Sequence, residues 1–290
     1  MDAHPGQIAE FFHLDRGGEG FYVKPARVEA ERDVVHGVDL MAWAMLASES
    51  EGLGSHAIKT AHGVFSRPVA RTAPINLAVE RFYMGRAFGA DTVTVTQNAK
   101  NSARIQLLTS ADEADLIRHS DAMPSVAGPE DSAPFLDAAL GIPGIELRAA
   151  VPFDYISSAH PVVPAQTMVW VRATEPVEGR VANQAVLCAT TGTMLIGTAM
   201  LPHEGVGQDQ AHRTISTGVV GHTATFFEPF EAGDWLLLAQ ESIYAGKGRV
   251  HGRGRVFDRT GTLVASYVQD AMIRHFTDGK DHSAQSSTVM

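Results

Sequence analysis

The sequence predicts an α+β fold in which each of two tandem repeats places one long buried helix before about four antiparallel strands. Each half of the chain contains an apolar stretch that is too uniform for a surface helix, and strand-length segments follow both stretches. Residue matches also recur at one spacing, because Phe65 and Phe226 lie 226 − 65 = 161 positions apart and Tyr83 and Tyr244 share that spacing. A fixed internal spacing with one element order indicates a repeated unit.

The composition is that of an ordinary globular chain. The 290 residues are 44% hydrophobic and 19% charged, which is enough for two compact domains. The net charge of −10 argues against a general nucleic-acid binder, which needs a basic face. No apolar run approaches the roughly 18 residues that a bilayer span requires, so no membrane span is predicted.

Cysteine usage and the first residues indicate where the protein acts. The single cysteine, Cys188, excludes an intramolecular disulfide and a multi-cysteine metal site, which fits a reducing compartment. Residues 1–15 contain acids and no long apolar core, so they are not typical of a signal peptide. The sequence therefore predicts a cytoplasmic protein.

The first half contains one helix and then strands. An alternating segment at 19–23 predicts a strand or an edge hairpin. Residues 34–50 carry almost no charge and are apolar around the whole helical turn, which predicts a helix buried on nearly all sides. Four strands are predicted at residues 56–66, 75–84, 90–97 and 103–109. The last turn is marked by Asn98, Lys100 and Asn101.

The second half repeats this order. Residues 113–150 are rich in proline and glycine, and they predict a connector between an N-terminal repeat at 1–112 and a C-terminal repeat at 151–276. A strand is predicted at 167–173 and a second buried helix at 192–201, with the sequence GTMLIGTAML. Later strands are predicted at 222–227, 235–244, 248–257 and 263–274. The polar tail at 277–290 is predicted to be disordered.

Several motifs resemble one enzyme family. They are HTATFFEPF at 222–230, DWLLL at 234–238, GTLVASYVQDAMIR at 261–274 and AHGVFSRP at 61–68. Together they are similar to the type II acyl-CoA thioesterases over most of residues 30–275. The resemblance implies a double hotdog fold, in which each repeat wraps an antiparallel sheet around a long central helix. It also implies an acyl-CoA substrate that is hydrolysed to a free fatty acid and CoA, and no cofactor is predicted.

The resemblance implies three catalytic positions, of which this chain keeps one. The family uses an Asp near the start of the second central helix, a Thr or Ser on the next strand and a Gln in the last strand, which together orient and help deprotonate a water. Gln269 matches the glutamine, whereas the Asp position falls on Gly192 and the hydroxyl position falls near Val219. Gly221 stands where an Asp usually precedes His222.

The missing carboxylate has no replacement nearby in the sequence. No Asp or Glu occurs between Val181 and Pro202. The side chains around these positions supply only hydroxyls, from Thr190, Thr191, Thr193, Ser216 and Thr217. A hydroxyl or an amide can position a water but is a poor general base near neutral pH. Thr193 is therefore predicted to contact substrate rather than to act as a base.

The start of the first central helix offers a different base. His36 and Asp39 lie one helical turn apart on one face, and an imidazole titrates near neutral pH. Amides of this turn, which includes Gly37, are suited to stabilise an oxyanion on the substrate. The string GVDLMAW at 37–43 also resembles the helix motif of hotdog β-hydroxyacyl dehydratases. A structural role is equally open, with Asp39 stabilising the helix start and His36 an ordinary loop residue.

The other histidines allow more than one role. His62, on a predicted strand, is a candidate catalytic residue or a hydrogen-bonded core histidine, and His222 is predicted to be structural. Zinc-site spacing and cysteine partners are both missing, so no metal is predicted at His203, His212, His222 or His251.

A basic stripe follows one strand of the second repeat. Arg249, His251, Arg253 and Arg255 alternate and therefore share one face. Arg249 and Arg253 are predicted to bind the CoA phosphates, although a solvated sheet face explains the stripe equally well.

Three functions remain open from the sequence. Hydrolysis of acyl-CoA, with Gln269 positioning water and His36 or Asp39 as base, is the leading one. A hydratase or dehydratase acting on an acyl thioester through His36 and Asp39 is the second, and a non-catalytic acyl-CoA-binding protein is the third. A homo-oligomer formed through sheet or helix faces is also predicted.

Overall fold

The computed structural model describes residues 6–18, 20–24, 34–135 and 142–276. Glu19 of the predicted first strand and the predicted tail at 277–290 lie outside the described residues. The first half contains, in chain order, α1 Gln7–Phe11, β1 Asp15–Gly17, β2 Gly20–Val23, α2 Gly37–Ser50, β3 Ala57–Phe65, β4 Ile75–Met84, β5 Phe88–Gln97 and β6 Lys100–Ser110.

The second half repeats the order of one helical region followed by four long strands. Its elements are β7 Ala133–Pro134, β8 Ile145–Ala149, β9 Gln166–Ala173, α3 Arg180–Thr191, α4 Leu195–Met200, β10 Ile215–Phe226, β11 Leu236–Gly246, β12 Arg249–Asp258 and β13 Leu263–His275. In the part of the chain that the structure describes, no helix is long and apolar enough to cross a membrane.

The thirteen strands of the described residues form one antiparallel sheet in the order β1-β2-β4-β5-β6-β3-β10-β13-β12-β11-β9-β8-β7. The two repeats meet where β3 pairs with β10. At this junction His62 lies opposite Thr223, which is its equivalent at the spacing of 161 residues. The junction is therefore the centre of an approximate twofold symmetry, and this continuous sheet confirms the predicted double hotdog fold.

Irregularities of the sheet repeat with the same spacing. The β3–β6 pair shifts register at Ile58/Thr60, and the β10–β13 pair shifts at Val219/Gly221. The two other equivalent pairs of shifts are Arg81/Tyr83 with Ser242/Tyr244 and Val95/Thr96 with Val256/Phe257. A bulge turns the side chains that follow it toward the other face of a strand. Each repeat therefore aims its strand residues at its helix in the same way.

Helix α2 is buried on every side, as its apolar sequence predicts. Met41, Trp43 and Met45 have no exposed surface. The indole nitrogen of Trp43 donates a hydrogen bond to the carbonyl oxygen of Phe11 at 3.1 Å, so the polar atom of this large side chain is satisfied. Truncating a buried aromatic of this kind costs about 3–5 kcal/mol.

The predicted buried helix at 192–201 is confirmed only for Leu195–Met200, and a longer helix precedes it. The structure has α3 before this segment and the shorter α4 inside it, with a break between Thr191 and Leu195. Polar Asn183 and Gln184 hid α3 from the apolar pattern, although both are buried. Asn183 donates to the carbonyl oxygens of Val177 and Gly179 and accepts from the amide of Ala232, and Gln184 donates to the carbonyl oxygen of Ile58.

Candidate functional site

Asp39 is a buried carboxylate in the first turn of α2. Its side chain is 1% exposed, and its Oδ2 lies 3.5 Å from Nη2 of Arg71, which is also buried. The separation is longer than a well-formed charge-assisted hydrogen bond. Among the described residues, neither carboxylate oxygen of Asp39 and neither Nε nor Nη1 of Arg71 has a hydrogen-bond partner. The ion pair therefore keeps unused donors and acceptors at a buried position.

This environment changes the acidity of Asp39. Burial raises the pKa of its carboxyl group from 3.8 to about 7, although the positive charge of Arg71 acts in the opposite direction. A carboxylate with a pKa near the working pH is well suited to accept a proton from water. Asp39 thus has the acidity of a general base, which an exposed aspartate lacks.

The residues around the start of α2 form a close contact with β3. The carbonyl oxygen of His36 accepts from the amides of Asp39 and Leu40 at 3.1 and 3.3 Å, which begins the helix. A Cβ atom on Gly37 would lie 2.7 Å from Cδ2 of Phe65. Gly37 therefore lets the Phe65 ring approach the helix backbone.

Gln269 lies on β13 and points its side chain toward the helices. It is fully buried, and its Oε1 atom is 3.1 Å from Nδ1 of His222 on the neighbouring strand β10. Nε2 of His222 is 2.9 Å from Oγ1 of Thr191, whose hydroxyl donates to the carbonyl oxygen of Cys188 at 2.7 Å. Nε2 of Gln269 has no hydrogen-bond partner among the described residues.

His222 is neutral at physiological pH. Burial lowers the pKa of its imidazole from 6.5 to about 4, and the nearby His62 acts in the same direction, whereas the hydrogen bond to Gln269 opposes both. The ring also stacks on Tyr267 with the centroids 5.7 Å apart. His222 is therefore a fixed, uncharged hydrogen-bonding group rather than a proton carrier.

The charge of Asp39 and the hydrogen-bond chain that begins at Gln269 both reach the last turn of α3. The charge of Asp39 reaches Cys188, where burial first and Asp39 second raise the pKa of the thiol to about 12. The carbonyl group of Cys188 is also the end of the hydrogen-bond chain from Gln269. A thiol this weakly acidic is not a nucleophile. Cys188 therefore lies within the electrostatic reach of Asp39 and at the far end of the hydrogen-bond chain from Gln269.

The positions that lack family side chains are filled differently. A Cβ atom on Gly192, in the break after α3, would overlap Cγ1 of Val38. Val219 lies on β10 at the register shift that separates it from Gly221. Oγ1 of Thr193 is buried and has no hydrogen-bond partner within the described ranges. Val38 thus occupies the room that a carboxylate at position 192 would need.

The remaining predicted site residues lie on the opposite face of the sheet. His62 is exposed and lies 2.8 Å from Oγ1 of Thr223 through its Nδ1. Arg249 and Arg253 are exposed, and they pair with Asp270 at 3.5 Å and with Glu241 at 2.8 Å. The structure does not bring these three residues together with Gln269.

Sequence reasoning missed Arg71 and the connecting role of Thr191. Arg71 lies between β3 and β4, where nothing in the sequence pattern distinguishes it from a solvated loop residue. Thr191 was one of several candidate hydroxyls, and only the three-dimensional contact with His222 separates it from its neighbours. Across the described residues, no group of three His, Cys, Asp or Glu side chains is arranged to hold a metal ion.

Comparisons with known proteins agree with this architecture. The family described as acyl-CoA thioesterase C-terminal domain matches residues 120–273. Human acyl-coenzyme A thioesterase 8 is 27% identical over 252 residues, which cover 80% of this chain and 76% of that protein.

Two solved structures have the same fold. The acyl-CoA thioesterase II TesB2 of Mycobacterium marinum superposes with a TM-score of 0.76 at 22% identity, covering 93% of this chain and 98% of the other. A hotdog-fold protein of unknown function from Alicyclobacillus acidocaldarius gives a TM-score of 0.76 at 18% identity, with 94% and 100% covered. The sequence match over more than half of its length shows that the chain belongs to the acyl-CoA thioesterase family.

Proposed function

We propose that the protein hydrolyses acyl-CoA thioesters to a free fatty acid and CoA. The observation that carries the proposal is the buried Gln269 carboxamide, which stands at the family's glutamine position and keeps one polar atom without a partner among the described residues. Family membership and the similarity to acyl-CoA thioesterases support the same substrate class.

Asp39 takes the place of the missing family carboxylate in this proposal. Gln269 holds a water, and the Asp39 carboxylate accepts its proton while the water oxygen bonds to the thioester carbonyl carbon. The amide of Gly37, at the start of α2, stabilises the resulting oxyanion. When the carbon–sulfur bond breaks, the CoA sulfur takes the proton from Asp39. The products are then a carboxylic acid and a thiol, and the base returns to its starting state.

The proposal is tested by thiol release from short, medium and long acyl-CoAs. We expect wild-type protein to release thiol, and we expect both Gln269→Ala and Asp39→Asn to lose most of the rate. His36→Ala distinguishes between the two candidate bases. If this variant loses turnover and Asp39→Asn keeps it, proton transfer is assigned to His36 instead of Asp39. Release by none of the substrates would refute hydrolysis.

A hydratase or dehydratase remains the second candidate. The favouring observation is the Asp39 carboxyl group, which at a pKa of about 7 can also deliver a proton to a substrate. A change in enoyl-CoA absorbance without thiol release would support this reaction. Thermal stabilisation by acyl-CoA with no turnover of either kind would indicate a protein that only binds acyl-CoA.

Three broader predictions accompany this function. We propose a role in lipid metabolism, because fatty acids and CoA are the expected products. We also propose a cytoplasmic location, which the single buried cysteine fits, and a homo-oligomer. Exposed aromatic side chains of the β4–β5 region, Phe82 at 79% and Phe88 at 57%, are the feature that supports assembly.

A further inference from the structure

A continuous hydrogen-bond chain connects Gln269 to the end of α3. The hydroxyl of Thr191 lies 2.7 Å from the carbonyl oxygen of Cys188 and 2.9 Å from Nε2 of His222. Nδ1 of the same ring lies 3.1 Å from one terminal atom of the Gln269 carboxamide. All four residues are buried, so these hydrogen bonds, rather than solvent, orient the side chains.

The direction of the chain follows from the Thr191 hydroxyl. We assign its single proton to the carbonyl oxygen of Cys188, which lies nearer at 2.7 Å than Nε2 of His222 at 2.9 Å, so the Thr191 oxygen accepts from Nε2–H. A neutral imidazole has only one N–H, which leaves Nδ1 as an acceptor. The carboxamide must therefore turn its NH2 group toward Nδ1. A half-turn about the last side-chain bond of Gln269 achieves this and points the oxygen to the unpartnered side.

We propose that Thr191 and His222 are positioning residues that hold the Gln269 carboxamide with its oxygen, not its nitrogen, directed at the attacking water. The role rests on the proposed hydrolysis. A carboxamide oxygen accepts a hydrogen bond from water and leaves a lone pair of the water oxygen available for the carbonyl carbon. A carboxamide nitrogen would donate to that lone pair and make the water a weaker nucleophile.

The surroundings of His222 support a fixed neutral ring. Tyr267 stacks on the ring and donates its hydroxyl proton to Oε1 of Gln240 at 2.7 Å, which holds the tyrosine in place. The low pKa of the buried imidazole is in accord with a single N–H. The second repeat therefore contains the parts of a rigid support for one side chain.

The chain offers a matched control at the neighbouring residue. Thr190 is also buried, and its hydroxyl donates to the carbonyl oxygen of Leu187 at 2.7 Å, as that of Thr191 does to Cys188. Of these two threonines, Thr191 is the one whose hydroxyl lies within hydrogen-bond distance of His222. Thr190→Val and Thr191→Val remove equivalent contacts within the helix. A difference in kcat between the two variants therefore measures the effect of the hydrogen-bond chain to Gln269.

The first arm of the test is kinetic. We expect Thr191→Val to lower kcat for thiol release about tenfold with KM unchanged, because roughly one well-oriented hydrogen bond is lost. Thr191→Ser keeps the hydroxyl and should restore kcat to within about twofold of wild type. Thr190→Val should match wild type in both constants. Equal kcat values in Thr190→Val and Thr191→Val would overturn the proposal.

The second arm does not depend on activity. Nitrogen NMR of imidazole-labelled protein should show His222 protonated at Nε2 in wild type, with loss of this preference in Thr191→Val and its return in Thr191→Ser. A ring protonated at Nδ1 in wild type would overturn the orientation that we propose. If wild type releases no thiol from any acyl-CoA, the proposed hydrolysis fails together with the catalytic role, and the NMR result still decides the orientation.

Discussion

The two repeats share one framework but differ in their buried polar side chains. His222 and Ala61 are equivalent, since 222 − 61 = 161, and they pair across the sheet with Gln269 and Leu107 respectively. The second repeat therefore has a polar pair where the first has an apolar one. The first repeat has the buried Asp39, whereas the second has no carboxylate in its helical region. The hydrolysis that we propose therefore uses one buried polar group from each repeat.

Removing the Asp39 carboxylate, which belongs to the first repeat, should have the largest effect on catalysis. We expect Asp39→Asn to lower kcat/KM for acyl-CoA about a thousandfold, which lies within the usual range for loss of a general base. The pH–rate profile of wild type should also show a rise centred near pH 7, where this carboxyl group ionises. Rates of the variant measured across the same pH range should lack that rise. An unchanged profile would assign the base elsewhere.

The same comparison predicts how stability depends on pH. The raised pKa of Asp39 gives a stabilisation that is complete below pH 3.8 and is lost by about pH 7. The lowered pKa of His222 gives one that is complete above pH 6.5 and is lost toward about pH 4. Between about pH 4 and 6.5 in wild type, the contribution of Asp39 to stability therefore falls as the pH rises, while that of His222 increases.

Asp39→Asn removes the pH-dependent contribution of Asp39 to the free energy of unfolding. Its free energy of unfolding, relative to that of wild type, should rise with pH by about 1.4 kcal/mol per unit between pH 4 and 6.5. Urea unfolding at several pH values measures this difference, in which groups common to both proteins cancel. A variant that stays parallel to wild type would show that Asp39 ionises normally.

Replacing Gln269 by leucine, the residue at the equivalent position 107 of the first repeat, should have the next largest effect on thiol release. We expect Gln269→Leu to lower thiol release by about a hundredfold, the usual cost of losing a preorganised polar contact in the transition state. The variant also leaves Nδ1 of the buried His222 without its partner, which should cost about 1–3 kcal/mol of stability. Leu108→Ala, on the exposed face beside the equivalent Leu107, is a control that should retain the rate.

The sequence pattern was sufficient for the framework because most strands alternate and α2 is uniformly apolar. It also predicted the tight turn before β6, where Asn98 and Ala99 adopt left-handed backbone angles with φ of 51° and 60°. It failed for α3, since Oδ1 of Asn183 and Nε2 of Gln184 form hydrogen bonds with backbone groups that are distant in sequence. The partnership of Arg71 with Asp39 was equally hidden, because it depends on two elements meeting in space.

Restoring the family carboxylate at position 192 tests whether Val38 of α2 fills the space that this side chain would need. Gly192→Asp should destabilise the protein by about 1–3 kcal/mol, because its Cβ overlaps the buried Val38. The double variant Gly192→Asp/Val38→Ala provides room and should regain part of this loss. Thermal unfolding of both measures the effect. Equal melting temperatures for Gly192→Asp and wild type would show that α2 and α3 are not in tight contact there.

The smallest effect is expected on the outer face of the sheet. His62 lies at the centre of the approximate twofold symmetry, but its side chain points away from α2, while the adjacent Gly63 packs against Met41. His62→Ala should therefore change thiol release by less than about threefold, with a stability change within about 0.5 kcal/mol. A loss of activity as large as that of Gln269→Leu would mean that substrate binds on the outer face. In that event the junction of α2 and α3 would be a structural core, and its buried polar groups would serve folding rather than hydrolysis.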